Sequence, residues 1–482
     1  MEVKYAYLIV DIGTGNARVA LATPAGDILA IKRENVHYIT DANYEDSIYF
    51  EPKALWEQIL RLSAGVLASA GDVTVTAVIA TSQREGIVTV DQQDMDQFGM
   101  PNIDHRGRKW ESELIDKDLV YNLSGRYPTS LFSAYKLIGL AKVYPDRFKQ
   151  VACVMSISDW IQYKFSGIKS YEHSQASETL LYDVERKCWS ADLLQAFGLS
   201  GTILPQLRES GSVLGKMRPE IAHLLGVSNE ALVVVGGGDT QMAVRSMNPS
   251  ANDVVIVSGT TTPILKIVPG YEKDENQRTW TSRHIDHSNY ILEANAGVTG
   301  LNYQRLKEIF YPNEGYDVIE KELQEISYAQ CVASLGSLIA EEDEPLTKGG
   351  FIFNAPVSHQ LTRGSFVFSI LWDIACSIFE NYKFLCAVSS HDQNYIWACG
   401  GGMESRKLRE FLANLFGKSI RITDTYRQAS VLGGVFVCNG ALGVESKTPR
   451  LEEEVFPQEH EKFEQLFQEW KDARRTFKQV AS

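Results

Sequence analysis

No two cysteines in this chain have the CxxC spacing, and their total, seven, is odd. Cys153, Cys188, Cys331, Cys376, Cys386, Cys399 and Cys438 stand mostly among apolar neighbours. That usage argues for reduced core thiols in a cytoplasmic protein and against a disulfide framework or a zinc site. No stretch approaches the roughly 18 apolar residues of a membrane span. The apolar run near the N-terminus is short and broken by Asp11, which is unlike a signal peptide. Positive charge is scarce: 47 Lys and Arg against 61 Asp and Glu give a formal net charge of -14. With no basic stripe and no arginine-rich run, nucleic acid is not an expected partner. An acidic surface does not attract anions either, so any phosphate site must be local, built from backbone N–H groups and a metal ion.

Several catalytic signatures are missing as well. Gly13-Thr14-Gly15 lacks the third glycine and the following helix of a dinucleotide-binding turn, and the GK[ST] ending of a phosphate-binding P-loop is absent. There is no nucleophile elbow for Ser/His/Asp chemistry. His284 and His287 form an HxxH without the HExxH arrangement or a third ligand, so a structural zinc is not expected there.

What remains is a globular composition, 44% hydrophobic and 22% charged over 482 residues, enough for two or three domains. Two stretches stand out. Leu232-Val233-Val234-Val235 reads as a buried strand, followed by Gly236-Gly237-Gly238 as a turn and then the carboxylate of Asp239. Tyr7-Leu8-Ile9-Val10 is likewise a buried strand, ending in Asp11 and the turn Gly13-Thr14-Gly15. A carboxylate held above a buried strand suits proton abstraction or metal binding. The two aspartates are expected to face one another across a cleft. Free N–H groups in the turn after Asp11 form an anion nest, to which Thr14 adds a hydroxyl and Arg18 a cation.

The first stretch opens a trio of strands, 4–11, 17–23 and 27–34. A second trio follows Asp239 at 253–258, 262–268 and 290–294, and its turn, Ser258-Gly259-Thr260-Thr261, echoes the first. The echo suggests an internal duplication of about 240 residues that places two hairpins around one cleft. Helices are expected at 53–69, 111–148, 190–198, 217–225, 296–328, 369–389, 405–416 and 428–440, and in the amphipathic segment 456–479. Ser158 or Asp159 would cap a further helix that opens at Trp160. Between strands 75–81 and 87–91 lies Ser82-Gln83-Arg84-Glu85-Gly86, whose polar side chains suit adjacent hydroxyls of a polyol or, equally, a solvated hairpin. Asn102-Ile103-Asp104-His105-Arg106 is a polar turn, and Tyr395–Ala398 is a strand leading into Gly400-Gly401-Gly402.

Taken together, Asp11-Ile12-Gly13-Thr14, Gly237-Gly238-Asp239, Ser258-Gly259-Thr260-Thr261 and Gly400-Gly401-Gly402, in this order and spacing, resemble the FGGY carbohydrate kinases of the actin/hexokinase superfamily. The resemblance covers nearly the whole chain. It implies an α/β fold of two ribonuclease-H-like domains with a cleft between them, residues 1–245 binding sugar and 246–482 binding nucleotide. It implies ATP and Mg2+, with Asp239 as general base and Asp11 and Asp239 near the metal. Gly13, Thr14, Arg18, Gly259, Thr260 and Thr261 would hold the phosphates, and Gly401 and Gly402 would lie along the adenosine. Gln83, Arg84, Glu85, Asn102, Asp104, Asp239 and Gln241 would bind the acceptor. The acceptor would be a small sugar or polyol, with a homodimer possible. Arg-Glu-Gly-Ile-Val at 84–88 and Asn-Ile-Asp-His-Arg at 102–106 are similar to autoinducer-2 kinases, whose acceptor is a linear dihydroxypentanedione. Gln83-Arg84-Glu85 also matches glycerol kinases, but Leu131 replaces their substrate-contacting tyrosine. Pentulose (xylulose or ribulose), gluconate and glycerol kinases are the alternatives, and an actin-like ATPase is a remote one. Gly139, Glu410, Asn414 and Gln428 depart from common family residues.

Overall fold

A computed structural model describes residues 4–42, 44, 46–326, 328–340, 342, 346–458 and 460–481. Two mixed sheets organise it. In the first, β1 (Lys4–Ile12), β2 (Asn16–Ala22) and β3 (Ile28–Asn35) form an antiparallel meander. β4 (Val73–Ser82) and β6 (Leu232–Gly238) run parallel to β1, and β5 (Val213–Lys216) closes the edge, in the order β5-β6-β4-β1-β2-β3. In the second sheet β7 (Val254–Val257), β8 (Thr261–Val268), β9 (Trp280–Arg283), β10 (Tyr290–Val298), β11 (Tyr395–Cys399), β12 (Ser419–Thr423) and β13 (Leu451–Val455) lie in the order β9-β10-β8-β7-β11-β12-β13. Setting aside the extra edge strand β9, the neighbour directions match one for one. Each sheet reads antiparallel, antiparallel, parallel, parallel, antiparallel from the third meander strand outward. The duplication suggested by the two glycine–threonine turns is therefore present in the topology. β9, β12 and β13 were not anticipated; β9 and β13 are edges, and β13 (LEEEV) carries no alternating apolar pattern.

Helices cover these sheets. α1 (Pro52–Ala70) begins with proline at its first turn, where no N–H is needed, and buries Leu55, Trp56, Ile59, Leu62 and Val66. The expected helix over 111–148 is broken into a 3-10 turn at Arg108–Glu113, a helix at Lys117–Ser124, α2 (Ser133–Val143) and a short turn of helix at Pro145–Phe148. The break falls at Gly125, whose left-handed φ of 71° ends the second piece. α3 (Ile157–Ser166) is capped not by Ser158 or Asp159 but by Ser156, whose hydroxyl accepts the Asp159 N–H at 3.1 Å. α4 (Asp239–Met247) follows β6 directly. The three glycines are thus strand rather than turn. Gly236 explains why: a Cβ there would stand 1.8 Å from the Ala80 carbonyl oxygen. Residues 296–328 begin as the end of β10 and then form helices Gly300–Phe310 and Tyr316–Gln324.

α5 (Arg363–Val388), α6 (Arg406–Phe416), α7 (Ala429–Leu442) and α8 (His460–Ala481) follow. In α8, Phe463, Phe467 and Trp470 are buried. Although α7 follows β12 of the second sheet, it packs on the first: Val431, Leu432, Val435 and Cys438 share a core with Tyr7, Ile9, Ile79 and Val234. Gly433 lets α7 cross α4 closely, since a Cβ would sit 2.0 Å from the Met242 carbonyl oxygen. Among the described residues, no helix is long and apolar enough to cross a membrane.

Candidate active site

A cavity of about 700 Å3 is lined by the β1–β2 turn, the β7–β8 turn, the start of α4 and the loops after β4 and at 102–105. Asp11 and Asp239 both line it. Asp11, next to last in β1, is in register with Arg18 on β2. Its Oδ2 accepts from the Arg18 Nη2 and from Ser430 Oγ, the latter at 2.7 Å, while Arg18 Nη1 donates to Gln428 Oε1 at 2.7 Å. Asp239 opens α4, where carboxylates are favoured by the helix dipole. Its Oδ1 accepts from the Thr240 N–H at 2.6 Å and the Thr240 hydroxyl at 3.2 Å. Burial, and then the like charge of Asp11, push its pKa up to about 6, against the pull of Arg84. The two carboxylates, 228 positions apart along the chain by number, thus share one cavity, where the charge of Asp11 adds to the cost of ionising Asp239.

The two glycine–threonine turns enclose the same space. Gly13 N–H donates to the Asn16 carbonyl at 2.9 Å, and Gly259 N–H to the Thr261 carbonyl at 3.0 Å. Gly13, Thr14, Arg18, Gly259, Thr260 and Thr261 line the cavity, as do Gly400 and Gly401. Gly402 is not on that wall; a Cβ there would lie 2.1 Å from Ser258 Oγ, so this glycine lets the 3-10 turn Gly401–Glu404 and the second hairpin touch.

Gln83, Arg84, Glu85 and Asn102 also line the cavity, together with Ile103, His105, Leu131, Trp280 and Asn295. Gln83 Oε1 accepts the Asn102 N–H at 2.8 Å, and Asn102 Nδ2 lies 3.0 Å from Thr14 Oγ1. The loop at 102–105 and the first hairpin are thereby joined. Buried Lys136 ties the loop further, donating to the Asn102, Asp104 and Leu131 carbonyls at 3.3, 2.8 and 2.5 Å. Glu85 is held at φ 63°, a left-handed conformation that a non-glycine residue rarely adopts and that points to an over-determined site. Burial pushes its pKa up to about 8, with Arg84 opposing and Glu178 adding.

Asp104 and Gln241 are off the cavity wall. Asp104 is fully buried, accepting from Arg106 Nε at 2.6 Å and the Ile48 N–H at 3.0 Å. Gln241 is buried with its Nε2 3.5 Å from Ser282 Oγ. His284 lies buried 4.0 Å from Asp286, and His287 pairs with Glu209 at 2.6 Å. Among the described residues, no group of three or more His, Cys, Asp or Glu side chains is placed to hold a metal ion. Mg2+ does not need such a group: it keeps water and phosphate oxygens and takes one or two carboxylates, which Asp11 and Asp239, both on the cavity wall, could offer.

Comparison with known proteins decides the family. Models of the N-terminal and C-terminal domains of the FGGY family of carbohydrate kinases match residues 6–245 and 337–442. The chain belongs to the FGGY family of carbohydrate kinases. It is 43% identical over 479 residues to the protein called "Putative sugar kinase YoaC" of Bacillus subtilis, covering 99% of this chain and 98% of that one. It is 23% identical to the autoinducer-2 kinase of Escherichia coli K12, over 97% of this chain and 94% of that one. The crystal structure of a ligand-bound xylulose kinase from Lactobacillus acidophilus shares the fold, with a TM-score of 0.87, 16% identity and 99% of each chain covered. As a member of this family the chain is an ATP-dependent sugar kinase with the two-domain actin/hexokinase-type fold.

Several residues of this FGGY site were not evident beforehand. Ser430 on Asp11 and Glu293 beside Arg84 fall in an expected helix and an expected strand that carried no role, while Trp280 and Asn295 on the wall and Glu178 near Arg84 lie outside the expected strands and helices. Glu293 did carry a signal: it is a carboxylate inside the apolar strand YILEANAGV, and a buried carboxylate requires a partner.

Proposed function

We propose that this enzyme transfers the γ-phosphoryl group of ATP to a hydroxyl of a small polyhydroxylated carbonyl compound, with autoinducer-2 (dihydroxypentanedione) the favoured acceptor. The observation that carries the reading is the meeting, in one cavity, of Asp11 and Asp239 with both glycine–threonine turns and the Gln83-Arg84-Glu85 loop. Phosphoryl transfer is mostly positioning and charge neutralisation, and this arrangement provides both.

Asp239, on the cavity wall, takes the proton from the attacking hydroxyl while Thr240 holds its Oδ1. Asp11 and Asp239 would hold Mg2+, which when bound neutralises charge on the phosphates. N–H groups of the two turns and the Thr14, Thr260 and Thr261 hydroxyls cradle the phosphates, with Arg18 beside them and Gly401 along the adenosine. Gln83, Arg84, Glu85 and Asn102 orient the acceptor, while Asp104, Lys136 and Gln241 support the elements that carry them. In this division residues 1–245 supply the acceptor side and 246–482 most of the nucleotide side. Closure of the two lobes keeps water from competing with the acceptor.

The acceptor preference rests on the apolar part of the wall. Ile103 neighbours Asn102, and Leu131 lends its carbonyl to the same Lys136 that holds Asn102. Trp280 packs 5.6 Å from Phe132, next in sequence to Leu131. Three apolar side chains beside the polar arc favour an acceptor with an apolar end, such as the methyl of dihydroxypentanedione, over a fully hydroxylated pentulose or gluconate. The test is ADP release with purified enzyme, ATP and Mg2+ on dihydroxypentanedione, xylulose, ribulose, gluconate and glycerol. Faster turnover of a pentulose, gluconate or glycerol than of dihydroxypentanedione would overturn the preference.

A further inference from the structure

Arg84 and Glu293 meet between the two sheets. Arg84 stands on the loop after β4, and Glu293 is central in β10, opposite Leu265 of β8 and Trp280 of β9. Arg84 Nη1 donates to Glu293 Oε2 at 2.5 Å, and Nη2 to Oε1 at 2.9 Å. The guanidinium is 8% exposed and the carboxylate 0%. Arg84's other acidic neighbours are farther, Glu178 at 3.8 Å and Glu85 at 4.0 Å, and Glu178 already accepts from Arg126 at 2.5 Å. Asn295 Nδ2, on a residue of the cavity wall, donates to Glu293 Oε1 at 3.1 Å, so this carboxylate is fixed from two sides. Glu293 itself is not on the wall.

A buried ion pair is a poor means of stabilising a sheet, since apolar side chains of similar volume do as well or better. A bidentate pair, however, sets the plane of a guanidinium. With its two terminal nitrogens each committed once to Glu293, Arg84 keeps three of the roughly five N–H groups of a guanidinium for other acceptors. We propose that Glu293 is a positioning residue that orients Arg84 toward the acceptor, so that this carboxylate of the second sheet takes part in acceptor selection without touching the acceptor itself. This inference rests on Arg84 being an acceptor ligand.

The experiment is steady-state kinetics of the full-length enzyme with ATP, Mg2+ and whichever of dihydroxypentanedione, xylulose, gluconate or glycerol it turns over fastest. Glu293→Gln, Arg84→Met and the double variant are compared. Glu293→Gln is expected to raise the acceptor KM roughly ten- to hundredfold, the scale of a lost charged hydrogen bond, with the ATP KM changed less than about twofold. In the Arg84→Met background the same substitution is expected to add less than about twofold, because a residue that acts through Arg84 has nothing left to orient. An unchanged acceptor KM in Glu293→Gln, equal rises in both KM values, or multiplicative losses in the double variant would each overturn the proposal. An unchanged acceptor KM in Arg84→Met would instead sink the acceptor role of Arg84 itself. Should Glu293→Gln not fold, Glu293→Asp keeps the charge, shortens the reach and is held to the same criteria.

Discussion

Replacing Asp239 with asparagine should make the protein inactive and, above neutral pH, more stable. The reason lies in what surrounds the carboxylate. Burial and Asp11 raise its pKa from the ordinary 3.8 to about 6. At 1.4 kcal/mol for each tenfold change, the ionised form is disfavoured in the fold by about 3 kcal/mol relative to the unfolded chain. Because the folded pKa is the higher one, the fold gains from proton uptake below about pH 4 and loses that gain as pH rises through about 6. Asparagine is neutral at every pH and its Oδ1 can still accept from Thr240. Asp239→Asn should therefore exceed the unaltered enzyme in stability by up to about 3 kcal/mol at pH 8, with the difference shrinking below pH 6 and vanishing near pH 4. Urea denaturation at pH 8, 6 and 4.5, in EDTA without nucleotide, measures this. Sugar phosphorylation should fall by roughly 10²–10⁴-fold, the share of a general base. A variant that keeps turnover refutes the base assignment; one that gains no stability at pH 8 refutes the claim that burial, with Asp11 beside it, disfavours the Asp239 charge.

Further outcomes follow from the same geometry. The rate with acceptor should rise with pH as Asp239 ionises, on a limb at or below about 6 because bound Mg2+ favours the carboxylate, which a pH–rate profile at saturating ATP will show or exclude. Gly236→Ala must displace β4 from β6, because its Cβ would be 1.8 Å from the Ala80 carbonyl oxygen; a loss of several kcal/mol or insoluble protein is expected by thermal melting. Trp280→Ala should erode discrimination between methyl-ended and hydroxymethyl-ended acceptors by roughly 10-fold or more, read as a ratio of kcat/KM values.

The hairpins were legible because their pattern is local: β-branched runs, a Gly-Thr turn and a terminal aspartate need no distant information. The repeated trio pointed to a duplicated sheet, and the strand directions agree. The glycine run 236–238 was misread as a turn, since glycine serves both bends and close backbone approach, and the sequence does not say that Ala80 lies alongside. Ser156 was missed as a cap because Ser156, Ser158 and Asp159 are all capable caps within one turn. Edge strands such as β13 (Leu451–Val455), with three consecutive glutamates, lack the apolar alternation that marks a strand. The partners of Arg84 were hidden for a different reason. Ion pairing between residues 209 positions apart leaves no periodic trace; a charged residue in an apolar strand shows that a partner exists, not which one.

The placement of α7 (Ala429–Leu442) has a consequence for synthesis. Protein chains emerge from the ribosome N-terminal end first, so Tyr7, Ile9, Ile79 and Val234 are made long before the Val431, Leu432 and Val435 that seal them. Until then the nascent first half presents a sticky apolar face, a natural point for chaperone capture. A polypeptide stopped after residue 245 would keep that face uncovered indefinitely, and co-expressing residues 246–482 as a separate piece would restore the seal in trans.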